Sequence, residues 1–256
     1  MTGQGYVVNF RPVAAKCIYE LNAQPADGRK GVRVFDYASG YGGRLLGAWS
    51  AENVSEYVAV DVNTETVENA HKLIKFLNKY LPKLKKTEVH LCGSEDFIAN
   101  KYPEYRGYFD IAFSSPQYFD TEIYSKEDTQ SCHKFPKYES WVRGFYRPTI
   151  HNAIDSLREG GVFAINIFEK LNNLKEITKL LASEKGFYLY KIDKMLLRSM
   201  PGHVKDSETG EFVNRDLTTG NNSEPVWYFK HYETLYKDGT IGIEKYKELK
   251  KKHEGC

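Results

Sequence analysis

The chain of 256 residues is poor in cysteine, in long apolar runs and in charge of one sign, and each shortage closes off a class of protein. Its four cysteines, Cys17, Cys92, Cys132 and Cys256, lie far apart and form no C-x-x-C pair, so neither a zinc site nor a disulfide framework is expected. No bound metal and a reducing, cytoplasmic setting follow as expectations. No stretch approaches the apolar length that spans a bilayer, and the opening MTGQGYVVNF lacks the charged-then-apolar order of a secretory signal, so no membrane partner is expected. Against 34 acidic side chains stand 36 basic ones, and a formal net charge of +2 neither requires nor excludes a polyanion, because patch geometry outweighs the sum. Internal repeats and low-complexity tracts are absent as well.

What is present is alternation. With 41% hydrophobic and 27% charged residues the chain can bury one sizeable core, and a single domain over 1–256 is expected. Apolar runs at 32–38, 57–63, 87–94, 108–115 and 160–168 read as strands, and 13–23, 64–81 and 140–159 as helices. In 64–81, Val67, Ala70, Ile74, Leu77 and Leu81 recur at helical spacing between a leading Thr and the following Pro82. Strands alternating with helices predict right-handed crossovers and a doubly wound, mostly parallel α/β sheet. Two segments break the rhythm, 121–139 and 199–225, and read as long loop insertions of the kind that commonly carries function. The basic stretch near 241–256 reads as a solvated terminal helix.

Two short motifs carry chemistry. In VFDYASGYGGRLLGAW (34–49) an apolar run leads through Asp36 into Gly40, Gly42 and Gly43, and glycines after a first strand either let a ligand approach the backbone or merely pack helix on sheet. The pattern is G-x-G-G rather than G-x-G-x-x-G, and no Lys-Ser/Thr follows, which argues against dinucleotides and nucleoside triphosphates. Asp61 closes the next apolar run, where a carboxylate can accept both hydroxyls of a ribose; a helix N-cap is the alternative reading. The ligand implied is a nucleoside without a pyrophosphate. The second motif, Ser115-Pro116-Gln117-Tyr118, ends the run FDIAFS with a rigid proline and a ring where a simple turn favours Gly, Asn or Asp.

Together these motifs resemble the S-adenosylmethionine-dependent amino-methyltransferases that act on DNA, over roughly residues 9–230. Asp36-x-x-x-Gly40-x-Gly42 looks like their cofactor loop, and Ser115-Pro116-Gln117-Tyr118 like their catalytic tetrapeptide, normally Asp, Asn or Ser, then Pro-Pro, then Tyr, Phe or Trp. NFRP (9–12) is similar to the segment that closes over the methionine end of the cofactor, and EPVWYFK (224–230) to the last strand. The resemblance implies a class I, Rossmann-like methyltransferase fold with S-adenosylmethionine as cofactor and DNA as partner. It implies cofactor contacts from Phe10, Arg11, Asp36, Ser39, Gly40, Gly42, Asp61, Ser94 and Glu95, and catalysis by the tetrapeptide.

An exocyclic amino group is a poor nucleophile because its lone pair is delocalised into the ring, so catalysis favours a tetrahedral nitrogen over the planar ground state. In the resembling family two acceptors out of the base plane do this, here the Pro116 carbonyl and the Ser115 side chain. Tyr118 would stack on a base flipped out of a duplex or taken from a single strand. Serine at the first position leans toward cytosine, Asp or Asn toward adenine. Gln117 replaces the usual second proline, and either reads an edge of the base or loosens the motif. RNA and protein glutamine are alternative acceptors, and a non-catalytic nucleic-acid-binding subunit is the alternative from another class.

Weaker candidates surround the motifs. Phe119 and Asp120 would extend the base pocket or pack in the core. Cys132 beside His133 suggests a nucleophile pair, though neighbours in a polar loop seldom point together. Trp141, Phe145 and Tyr146 fall at helical spacing and read as core. Lys134, Lys205 and Arg215 sit in the two long loops, which are the candidates for substrate reading; the three side chains are either phosphate contacts or solvated loop charges.

Overall fold

A computed structural model describes residues 9–81, 85–120, 128–167, 173–196, 203–205, 212–214 and 223–254. Its strands are β1 (Val32–Asp36), β2 (Val54–Asp61), β3 (Lys86–Leu91), β4 (Phe109–Ser114), β5 (Leu157–Asn166), β6 (Phe187–Leu196), β7 (His203–Lys205), β8 (Phe212–Asn214) and β9 (Ser223–His231). Its helices are α1 (Pro12–Asn22), α2 (Gly43–Ser50), α3 (Thr64–Tyr80), α4 (Ser131–Lys134), α5 (Tyr138–Trp141), α6 (Arg147–Asp155), α7 (Leu174–Glu184), α8 (Tyr232–Lys237) and α9 (Ile243–Glu254).

Seven strands form one sheet in the order β3-β2-β1-β4-β5-β9-β6, and β7 pairs with β8 in a separate two-stranded sheet. The pairs from β3 through β5 are parallel, whereas β9 runs antiparallel to both β5 and β6. Both faces are buried, which is why the central strands read as continuous apolar runs. On one face Val34, Tyr57, Ala59, Ile111 and Phe113 meet α1, α2 and α3 through Ala15, Tyr19, Leu45, Trp49 and Val67. On the other Phe35, Val58, Val60, Phe163 and Ile165 meet Phe97, Trp141, Ile150 and Leu181.

The doubly wound α/β expectation holds, with local differences. Helix α3 starts where the pattern puts it, but its cap is Asn63, whose side chain accepts from the Thr66 amide at 2.8 Å. Asp61 is therefore not the N-cap. The expected helix 140–159 is a composite of α5, a wide turn over Val142–Tyr146 and α6. Pro148 has no N–H to donate to the preceding turn, and the ladder widens just before it. Strand β5 then claims Leu157–Glu159, the end of the expected helix. The expected loop 121–139 contains α4 and the start of α5, and 199–225 contains β7, β8 and the start of β9. Strand β6, with Lys191, Asp193 and Lys194 breaking its apolar pattern, lies at a sheet edge, where such charges are tolerated and deter further pairing.

Candidate functional site

Strand order reverses between β1 and β4: β2 and β3 lie on one side of that pair, β5, β9 and β6 on the other. In open α/β sheets the crevice outside the carboxyl ends at such a point is where ligands bind. Asp36, Asp61, Ser114 and Asn166 end β1, β2, β4 and β5, so both motifs emerge at this edge side by side.

The two motifs are joined by one residue. Ser114, immediately before the tetrapeptide, donates its hydroxyl to Asp36 Oδ1 at 2.8 Å. Asp36 is completely buried and accepts further from the Ala38 amide at 3.2 Å, Tyr57 Oη at 2.6 Å and Arg44 Nε at 2.8 Å. Arg44 also donates to the Ala38 carbonyl. Burial opposes the Arg44 charge, the Asp36 carboxylate overrides it, and the pKa lies above the ordinary value. Burial and then the Asp36 charge raise the Tyr57 hydroxyl, which stays a neutral donor. With four donors inside the protein and no exposed surface, Asp36 shapes the glycine loop.

The backbone of the loop itself requires glycine. Gly40 and Gly42 have φ of +56° and +87°, the left-handed region that L side chains rarely adopt. The Gly40 amide donates to Asp61 Oδ2 at 2.9 Å, and the Asn63 amide to Oδ1 at 3.0 Å, so the carboxylate is aimed by backbone on both sides. Burial raises the Asp61 pKa, and those two amides oppose the rise. Ser39 Oγ is buried and has no hydrogen-bond partner among the described residues. Asn9 Oδ1 takes the Gly43 amide at 3.1 Å, occupying a donor at the start of α2 that a phosphate would otherwise use. A Cβ on Gly43 would lie 1.9 Å from the Phe10 carbonyl, so the N-terminal strap rests directly on the loop. The Phe10 ring packs edge-on against Phe113 at 5.4 Å, while Arg11 is exposed at the start of α1. Ser94 turns inward: its hydroxyl pairs with Thr149 Oγ1 at 2.8 Å. Glu95 Oε1 accepts from Lys134 at 2.8 Å, and its buried Oε2 has no partner among the described residues.

Among the tetrapeptide residues, Ser115 Oγ donates to Asn166 Oδ1 at 2.9 Å, and Tyr118 Oη to the Asn166 carbonyl at 3.0 Å. One residue at the end of the neighbouring strand thus holds both. Sequence reading missed Asn166; its only signal was its place at the end of the apolar run at 160–168. Gln117 is not loose. Its Oε1 accepts from Ser131 Oγ at 2.7 Å, and Ser131 accepts in turn from Trp141 Nε1 at 2.8 Å. Phe119 has φ of +46°, a strained conformation for a bulky residue, and its ring meets Tyr138 and Trp141 edge-on.

Other candidates fall into place around this edge. Trp141, Phe145 and Tyr146 are core, as their spacing predicts. Phe119 packs with them, and Asp120 is exposed. Cys132 is buried and His133 exposed, so they do not form a nucleophile pair. Lys134 is paired with Glu95 and lies 3.6 Å from Asp96, which accounts for its charge without a phosphate. Arg215 and the side chain of Lys205 lie outside the described residues. Among the described residues no group of His, Cys, Asp or Glu is gathered as a metal would require, and no helix is long and apolar enough to cross a membrane. Two surface grooves lie elsewhere, about 560 Å³ between α3 and β3 at His71, Ile74 and His90, and about 320 Å³ at Leu157, Phe187 and His231. Neither reaches the strand ends where both motifs converge, and the candidate site is assigned to the latter on its chemistry.

No protein-family model and no curated protein matches the sequence. Solved structures do match in shape. A methyltransferase from Pyrococcus furiosus is 18% identical over 86% of this chain and 83% of its own, with a TM-score of 0.52. The Methanobacterium thermoautotrophicum protein described as precorrin 8W decarboxylase is 14% identical over 87% and 92%, with a TM-score of 0.51. TrmN from Thermus thermophilus is 16% identical over 86% of this chain and 48% of its own, also at 0.51. Identities this low speak for fold alone, and the fold of this chain is the class I, Rossmann-like methyltransferase type.

Proposed function

We propose that the protein transfers a methyl group from S-adenosylmethionine to the exocyclic amino group of a base in DNA. The observation that carries the reading is the 2.8 Å bond from Ser114 to Asp36, which locks the tetrapeptide of β4 beside the glycine loop of β1 at the sheet's switch point.

The residues present suit the cofactor. A ribose finds the aimed, partly exposed Asp61 carboxylate, and the glycine loop leaves its backbone open to close approach. Ser39 Oγ, buried and without a partner, is a donor waiting for an acceptor. The Asn9–Phe10 strap covers the loop from the side of α1. When bound, S-adenosylmethionine supplies a methyl carbon activated by its sulfonium. The chain's part is then to hold the acceptor nitrogen: Ser115 and the Pro116 carbonyl accept its N–H groups out of the base plane, and Tyr118, tethered through its hydroxyl, offers a ring for the base. Ser94 contributes through the inner packing and not through its hydroxyl, which is engaged with Thr149.

The test is mass spectrometry of nucleosides from DNA and RNA incubated separately with the purified protein and methyl-labelled S-adenosylmethionine. Labelled N-methylcytosine or N-methyladenine from DNA is the expected result. Label in RNA alone would redirect the proposal to that polymer, which carries the same amino groups. No label in either, with the cofactor bound, would overturn it in favour of another acceptor or a non-catalytic role.

A further inference from the structure

The tetrapeptide's first residue is a hydroxyl, which both donates and accepts, whereas an amino group needs an acceptor. A serine free to rotate would offer its proton to the substrate as often as its lone pairs. The structure removes that freedom by a chain of three groups.

The chain starts at a carbonyl that cannot donate. Pro225 in β9 presents its oxygen to Asn166 Nδ2 at 3.0 Å, and a carbonyl accepts only. That contact decides which way the Asn166 amide faces: the nitrogen points to β9 and Oδ1 to Ser115. Oδ1, itself an acceptor, then obliges Ser115 to donate across the 2.9 Å contact. The Ser115 lone pairs are left for whatever enters from the crevice. Asn166 is buried in the ladder between β5 and β9, where it pairs with Val226, so its position is set by the sheet and not by a loop.

We infer that Asn166 is the positioning residue of this site: it makes Ser115 an obligatory hydrogen-bond acceptor and so selects acceptor groups that carry an N–H. The inference rests on the proposed amino-methyltransferase reading and adds a residue to it. Asn166 itself touches no substrate. Its main-chain carbonyl also anchors Tyr118, an arrangement that side-chain substitution leaves in place.

A double-mutant cycle tests the role, using Asn166→Ala, Asn166→Asp, Ser115→Ala and the double variant Asn166→Ala/Ser115→Ala, each assayed for methyl transfer to DNA and RNA. Calorimetric affinity for S-adenosylhomocysteine is measured alongside. Asn166→Ala is expected to lower kcat roughly tenfold to a hundredfold, the scale of losing one oriented polar group. Asn166→Asp keeps an acceptor for the Ser115 proton while giving up the Pro225 tie, and should stay within about threefold of wild type with acceptor KM little changed. The double variant should be no slower than Ser115→Ala, because Asn166 acts only through that hydroxyl. Losses that multiply in the double variant, an Asp variant as slow as the Ala variant, or a fall in S-adenosylhomocysteine affinity with Asn166→Ala would each make the residue merely structural and overturn the role. Wild-type protein that labels neither nucleic acid would overturn the functional reading and this role with it, a result distinct from an active enzyme with multiplying losses.

Discussion

Asp36 and Asp61 are carboxylates at the ends of adjacent parallel strands, and burial separates their tasks. Asp36 has four donors within the protein and holds the loop. Asp61 is partly exposed, and its two oxygens each take one backbone amide. Because burial raises the Asp61 pKa, its ionised form, which in the proposed reading accepts the ribose hydroxyls, is lost at a higher pH than that of an ordinary carboxylate. Cofactor affinity should therefore fall on acidification through that raised value. The same shift makes the native state hold its proton more tightly than the unfolded chain, so Asp61's own contribution to stability diminishes as pH rises through this window. Asp61→Asn should weaken S-adenosylhomocysteine binding by about 1.5–3 kcal/mol near neutral pH and flatten the acid dependence. Calorimetry across the weakly acidic range checks both, and an unchanged acid slope in the Asn variant would assign the dependence to another group. The sequence pattern named both aspartates; only the structure shows that one is fully buried and the other partly exposed.

At the scale of elements, the segment carrying α4 and α5 ties the tetrapeptide to the rest of the site. Thr129 Oγ1 reaches the Val62 carbonyl at 3.4 Å just past β2, Lys134 reaches Glu95 past β3, and Ser131 reaches Gln117 past β4. Gln117, the departure from the double proline of the resembling family, is thus the point where this segment is fastened. Gln117→Ala should cost about 1 kcal/mol by leaving the Ser131 hydroxyl without its acceptor. Ser131→Ala should cost more, about 1–3 kcal/mol, because it also strips the partner from the fully buried Trp141 indole. Denaturant unfolding measures both, and equal costs would mean that the indole is not the stake. None of this was legible in the motif: a glutamine and a serine far apart in sequence share no periodicity, and their meeting depends on the path between β4 and α6.

At the scale of the molecule, β9 decides polarity. Running antiparallel, it carries the chain back to the amino edge of the parallel strands, where the Tyr232 amide bonds the Gly186 carbonyl at 2.9 Å ahead of β6. Helices α8 and α9 follow there, away from the tetrapeptide, with Leu249 buried as the anchor of the tail. Lysines 245, 247 and 250 are paired along α9 with Glu248, Glu244 and Glu254, in keeping with a solvated terminal helix. Deleting 243–256 should lower Tm by several degrees, since uncovering one or two apolar side chains costs about 1.5–3 kcal/mol each. On the proposed function, DNA affinity and methyl transfer should be unchanged. A loss of DNA affinity on deletion would place the nucleic acid on the amino edge and contradict the site described above.

The sequence alone determined what depends on local pattern: the parallel α/β class, from apolar runs alternating with helical spacing, and the place of the two motifs, from glycines after one strand and a rigid proline and ring after another. Tertiary structure decided whatever depends on which groups face each other. It buried Asp36 fully and left Asp61 partly exposed, turned Ser94 inward to Thr149, fastened Gln117 to Ser131, and brought Asn166 beside Ser115 from the next strand. Hydrogen bonds are short and directional, so their partners follow from strand order and register, which come from the burial of both sheet faces and not from any one stretch of the chain.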